Sequence, residues 1–133
     1  MIFPSLLANP KEPRAHASWQ SYNTKYGSDN ISSFSFGEQF GIVESRDTSA
    51  ENAWQISLNG AAFSLFRFTK ERGNLINSDY VIGIPVSYRN KEWSFRARLY
   101  HQSSHFGGEY QFAESPDDYI KGMRYSYEAI EFL

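Results

Sequence analysis

The fold is decided by "YVIGIPVSYRNKEWSFRARLYHQSSHF", Tyr80–Phe106. Its residues alternate with a period of two, the repeat of a strand with unlike faces. In the first half Tyr80, Ile82, Ile84, Val86 and Tyr88 share one face. Val81, Gly83, Pro85, Ser87 and Arg89 share the other. After a tight "RNKE" turn, Arg89–Glu92, the pattern resumes with Trp93, Phe95, Ala97 and Leu99 opposite Ser94, Arg96 and Arg98. An aliphatic stripe closed at both ends by tyrosine is what a lipid-facing barrel strand between two aromatic girdles presents. A sandwich strand facing a protein core would show the same stripe. Arginines in mid-strand require an acidic or wet surrounding on their own face. Pro85 removes a ladder donor and argues against a central position for its strand.

Working outward, helical periodicity is scarce and alternation is common. Six strands are predicted, at Arg14–Asn23, Ser32–Ser45, Ala53–Phe68, Tyr80–Arg89, Trp93–His105 and Tyr119–Leu133. The expected class is all-β: an antiparallel up-and-down meander of about six strands forming part of an outer-membrane-type β-barrel. Residues 1–133 read as one such domain, with 1–13 as an extended N-terminal arm whose "NPKEP" prolines block a ladder. In the second strand Phe34, Phe36, Phe40 and Ile42 share a face that Glu38 interrupts. A carboxylate amid lipid is costly, so Glu38 belongs near an interface or a bulge, or that face does not meet lipid. In the sixth, Tyr125, Tyr127 and Ala129 stand opposite Arg124, Ser126 and Glu128. Arg96 and Arg98 are then expected to pair with Glu128 and Glu131, the latter only if a bulge corrects its parity.

Connections are expected to alternate in length. Thr24–Ile31, Thr69–Asp79 and Phe106–Asp118 are long, and Arg46–Asn52 and Arg89–Glu92 short, as in outer-membrane barrels. Six strands fall below the roughly eight of the smallest such barrels. Further strands, or another copy of the chain, are therefore expected to complete the sheet.

Bulk composition narrows the classes. Among 133 residues there are 11 Phe and 9 Tyr, no cysteine, and a net charge of −2. Mean hydropathy is −0.55. No basic field argues for nucleic acid, and neither a disulfide framework nor a thiolate metal site is available. No apolar run is long enough for a membrane-spanning helix.

The chemistry-bearing stretch is "RLYHQSSHFGGEY", Arg98–Tyr110. Residues i and i+2 of a strand point the same way, roughly 6.6 Å apart. His101 and Ser103 therefore continue the apolar face, and the imidazole can reach the hydroxyl as its base. A third group must orient the ring; Glu109, Glu114, Asp117 and Asp118 are the acidic candidates. Gly107 and Gly108 can bring backbone amides close to an oxyanion. His101 and His105, about 13 Å apart along a strand, cannot share a metal without a sharp turn. No metal or other cofactor is expected, with calcium kept as the alternative for a lipid hydrolase, since the loop offers several carboxylates though without EF-hand spacing. Read without the catalytic idea, His, Gln and Ser are ordinary residues of a barrel rim.

Two resemblances follow from these stretches. "HQS", His101–Ser103, before a Gly-bearing loop resembles the active-site strand of the outer-membrane phospholipase A and lipid A deacylase families. That resemblance implies His101 as base, Ser103 as nucleophile, and Glu114 or Asp117 as the orienting group. Ser104 and His105 stand where the phospholipase has Asn-Gly. The wider run is similar to an uncharacterised bacterial family, DUF1207, whose members are predicted outer-membrane barrels. It rests on "FPSLLANPKEPR" (Phe3–Arg14), "LINSDYVIGIPVSYR" (Leu75–Arg89), "SFRARLYHQSSHFGGEY" (Ser94–Tyr110) and "YSYEAIEFL" (Tyr125–Leu133). Gly108 departs from it, since an acidic residue is expected there. This second resemblance implies a bacterial outer-membrane location and membrane lipid as the surrounding partner, and no activity.

Three readings follow: an outer-membrane barrel without catalysis, an outer-membrane lipid acyl hydrolase of the serine type, and a soluble β-sandwich or small-ligand barrel.

Overall fold

The structure, a computed structural model, describes residues 2–24, 27–48, 51–68, 73–108 and 124–133. Six strands form one sheet: β1 (His16–Thr24), β2 (Gly27–Arg46), β3 (Asn52–Phe68), β4 (Gly73–Asn90), β5 (Trp93–Phe106) and β6 (Arg124–Phe132). Their spatial order is their chain order and every neighbour is antiparallel, so the sheet is an up-and-down meander. β1 and β6 are its two edges.

β2 and β4 begin well before Ser32 and Tyr80, the expected starts. Thr24 pairs with Gly27 across a tight connection, and polar residues of β4 such as Asn74 pair with Arg67. The expected alternation of long and short connections is therefore not observed. Only the segment between β5 and β6 is long. Pro85 does sit in an inner strand. The β3 ladder is interrupted there, between Ile56↔Val86 and Asn59↔Gly83, while β5 pairs straight through Pro85↔Arg98. The missing donor thus falls at a break in one ladder.

The two faces differ sharply. One carries Phe34, Phe36, Phe40, Trp54, Leu58, Ile82, Ile84, Val86, Phe95 and Leu99, all exposed. β2 keeps its apolar side on this face past a bulge at Gly41/Val43, where Val43 takes over pairing with Ile56. Glu38 lies exposed on the same face, before that bulge and opposite Gly60. Aromatic groups gather near both ends of the strands. Trp19 stacks on Phe68 at 5.1 Å and Phe34 meets Phe66 edge-on at 5.8 Å. At the other end Trp54 pairs with Tyr88, which pairs with Phe95.

The opposite face is polar and covered. Gln55, Ser57, Asn59, Ser87, Arg96, Arg98 and Gln102 are all buried. Residues 2–14 run across it as a strap. Ile2 N–H donates to Gln55 Oε1 at 3.1 Å, and Phe3 lies 4.7 Å beneath the Arg96 guanidinium. Lys11 pairs with Asp79. Glu12 takes a two-pronged grip from Arg96 at 2.7 and 2.8 Å, the geometry that a guanidinium and a carboxylate match best. Arg98 pairs with Glu131 and also donates to the Lys11 carbonyl at 3.3 Å. The arm expected at 1–13 is thus the cover of the polar face.

Glu131 pairs with Arg98 in register and without a bulge, because all of β6 is turned over relative to expectation. Tyr125 and Tyr127 take the polar face, opposite Ser104 and Gln102, while Ile130 and Phe132 take the apolar one. Satisfying two buried arginines outweighs placing two tyrosines outward.

Close approach fixes one glycine. A Cβ at Gly37 would stand 2.5 Å from Ala61 Cβ and 2.8 Å from the Gly60 carbonyl oxygen. Gly37→Val is expected to cost about 1–3 kcal/mol by forcing β2 from β3, read by urea unfolding against a Gly60→Ala control, whose Cβ meets only Val81 O at 3.7 Å.

Candidate functional site

The apolar stripe of β5 ends at Leu99, which pairs with Ile130 of β6. Beyond that pair the same face turns polar on both strands. His101, Ser103 and His105 stand opposite Glu128, Ser126 and Arg124. Turning β6 over is what brings Glu128 and Ser126 to this side, and ladder pairing sets their height against His101.

The His101 ring bridges the two strands. Its Nδ1 lies 3.1 Å from Glu128 Oε1 and its Nε2 lies 3.2 Å from Ser126 Oγ. The partners assign the tautomer: Nδ1–H donates to the carboxylate, leaving Nε2 free to accept from the hydroxyl. A hydroxyl on a base that a carboxylate orients is the arrangement of a serine nucleophile. The ring and both flanking groups are accessible: the His101 side chain is 43% and that of Glu128 74% exposed, and Ser126 is exposed as well.

Ser103 shares the apolar face with His101, as the strand period requires. Among the described residues, however, the ring bonds Ser126 and Glu128 and not Ser103, which is instead the register partner of Ser126. Glu114 and Asp117 lie outside the described residues, as do Glu109 and Asp118. Gly107 donates its N–H to the Ile76 carbonyl at 3.0 Å, and a side chain there would run into the Leu75 carbonyl. Its amide is committed to holding the end of β5 against β4. Gly108 is exposed with open space around it. Ser126 is the residue that sequence reasoning missed. The signal available was parity: Ser126, Glu128, Ile130 and Phe132 share one face.

His105 takes no part in the bridge; it packs edge-on against Tyr80 at 5.8 Å. Among the described residues no group of three or more His, Asp or Glu side chains is arranged to hold a metal ion.

The family model described as "Protein of unknown function (DUF1207)" matches residues 1–133. The chain belongs to this family. No curated protein and no solved structure matches it.

On the apolar face of this DUF1207 chain a trough adjoins the bridge. Gly60 and Ala62 give it a low floor, between Phe36 and Phe40 on one bank and Tyr80 and Ile82 on the other. Ile82 is the ladder partner of His101, so the imidazole stands on the far side of that bank. The trough's lining is mainly apolar, but Glu38, opposite Gly60, also borders it.

Proposed function

We propose that the chain is a membrane-embedded part of an outer-membrane-type β-barrel, with lipid against its apolar face and its N-terminal arm inside a polar interior. The observation that carries this reading is the inversion of the usual burial. Arg98, Asn59, Ser57 and Ser87 are among the most deeply buried side chains, while Ile82, Ile84, Val86 and Leu99 are exposed. Water-soluble folds bury the second kind and expose the first. A barrel in lipid alternates apolar outward and polar inward, with aromatic groups at both interfaces.

Other features agree. A strand needs only about 9–11 tilted residues to span a bilayer, and β3 and β4 have 17 and 18. Trp19, Trp54 and Trp93 are all exposed, and amphipathic rings of this kind favour the headgroup level. Buried polar atoms of Ser57, Asn59 and Gln102 have no protein partner among the described residues, and a hydrated interior satisfies such groups. The open edges β1 and β6 call for closure, by further strands or by a second copy. No helix among the described residues is long and apolar enough to cross a membrane; strands cross by the other route.

Cell fractionation tests the reading. The protein is expected in the outer-membrane pellet, resistant to alkaline extraction, with a mobility that shifts on heating before gel electrophoresis. Recovery in the soluble extract would replace lipid with a protein partner on the apolar face.

A further inference from the structure

We propose that Ser126, His101 and Glu128 form a serine-hydrolase site for acyl esters of membrane lipids; the choice of substrate rests on the membrane reading above, and the triad does not. Four observations converge. His101 bridges a hydroxyl at 3.2 Å and a carboxylate at 3.1 Å through its two nitrogens. The group is accessible. It stands where the apolar face of β5 and β6 turns polar, just beyond the Leu99–Ile130 pair and on its headgroup side. The trough of Phe36, Leu58, Gly60 and Ile82 runs one strand away, across the Ile82 bank from His101, and gives an acyl chain a mainly apolar bed that Glu38 interrupts.

The chemistry balances with water as the only co-reactant. Ser126 Oγ attacks the ester carbonyl carbon while its proton passes to His101 Nε2. Glu128, bonded to Nδ1–H, holds the ring in that orientation and stabilises the imidazolium. Collapse breaks the carbonyl–alkoxide bond, and the departing alcohol takes the proton from Nε2. Water, deprotonated by the same nitrogen, then releases the fatty acid and restores Ser126. Ser126 and His101 are the catalytic residues, and Glu128 is a positioning residue.

The test uses the full-length protein in detergent, a fluorophosphonate probe with mass spectrometry of the adduct, and fatty-acid release from phosphatidylethanolamine and from lipid A. The adduct is expected on Ser126, and which lipid yields fatty acid identifies the source of the ester. Ser126→Ala and His101→Ala are each expected to lose up to about a millionfold in rate, whereas Ser103→Ala stays within a few-fold of wild type. Glu128→Gln keeps the shape and loses the charge, so it is expected to lower kcat with KM unchanged, much as Glu128→Ala does; a purely structural role would leave Glu128→Gln near wild type. Gly60→Leu fills the trough and should slow release of long acyl chains while sparing a short, water-soluble ester.

An adduct on Ser103, or full activity in Ser126→Ala, would overturn the triad. No adduct and no release from either lipid by the folded wild type would do the same. Ser126-dependent cleavage of the short ester without lipid release would overturn the lipid substrate and leave the triad standing. Failure of the membrane reading is seen separately, in fractionation.

Discussion

Ile84→Arg is expected to destabilise the protein by about 2–4 kcal/mol, the cost of placing a guanidinium on the lipid face near mid-bilayer. Ile84 lies half-way along the apolar stripe of β4, 51% exposed. Its ladder partner is Leu99, and Leu99 pairs in turn with Ile130, so the arginine would stand in an unbroken apolar row. It has no acidic neighbour in that row. If water met this face, the same change would cost no more than about 0.5 kcal/mol, as surface substitutions do. Unfolding in lipid vesicles, followed by tryptophan emission, separates the two outcomes. Trp93→Arg provides the contrast: at the end of its strand a charge reaches the interface, and the cost should fall to about 0–1 kcal/mol.

The second large effect is on the polar face. Arg96→Ala is expected to cost about 3–5 kcal/mol, because it leaves the Glu12 carboxylate buried without its partner. The side chains of the pair are 1% and 3% exposed, so solvent cannot replace the lost contact. Arg96 also reaches Glu131 at 3.3 Å, but Glu131 keeps Arg98 and is partly open to water. Most of the loss therefore falls on Glu12 and on the docking of residues 2–14. The double variant Arg96→Met/Glu12→Leu removes both charges and fills the space, and should be markedly more stable than Arg96→Ala alone. Equal losses in the two would mean that the strap is held by its other contacts. Limited proteolysis near Arg14 gives an independent readout, since a released arm exposes its backbone.

Much of the architecture was legible because strand period is a local property. The faces of β4 and β5 follow from Tyr80–Leu99 alone, and the antiparallel meander follows from successive alternating strands with no helical crossover between them. Strand extent was less legible. Residues 73–79, "GNLINSD", carry the composition of a loop, yet they pair with β3, and from Asn77 onward with β5 as well, because the sheet supplies ladder partners. The orientation of β6 was misread because Tyr125 and Tyr127 look like an interfacial pair. Its true register depends on Arg98, 33 residues away. That error carried over to the site. His101 could be recognised from its place at the end of an apolar stripe, but Glu128 and Ser126 could be joined to it only by knowing which side of β6 faces it. The strap was legible as an extended arm and not as a cover, since the charges of Lys11 and Glu12 find their partners, Asp79 and Arg96, only in three dimensions.

The central claim is that the apolar face meets lipid, and its tryptophans report on that directly. Trp19, Trp54 and Trp93 are the only tryptophans of the chain, and all three are exposed. In vesicles whose acyl chains carry bromine, their emission is predicted to be strongly quenched relative to unbrominated vesicles, with shallow bromine positions more effective than deep ones. Unquenched emission from protein whose circular dichroism shows an intact sheet would contradict the account.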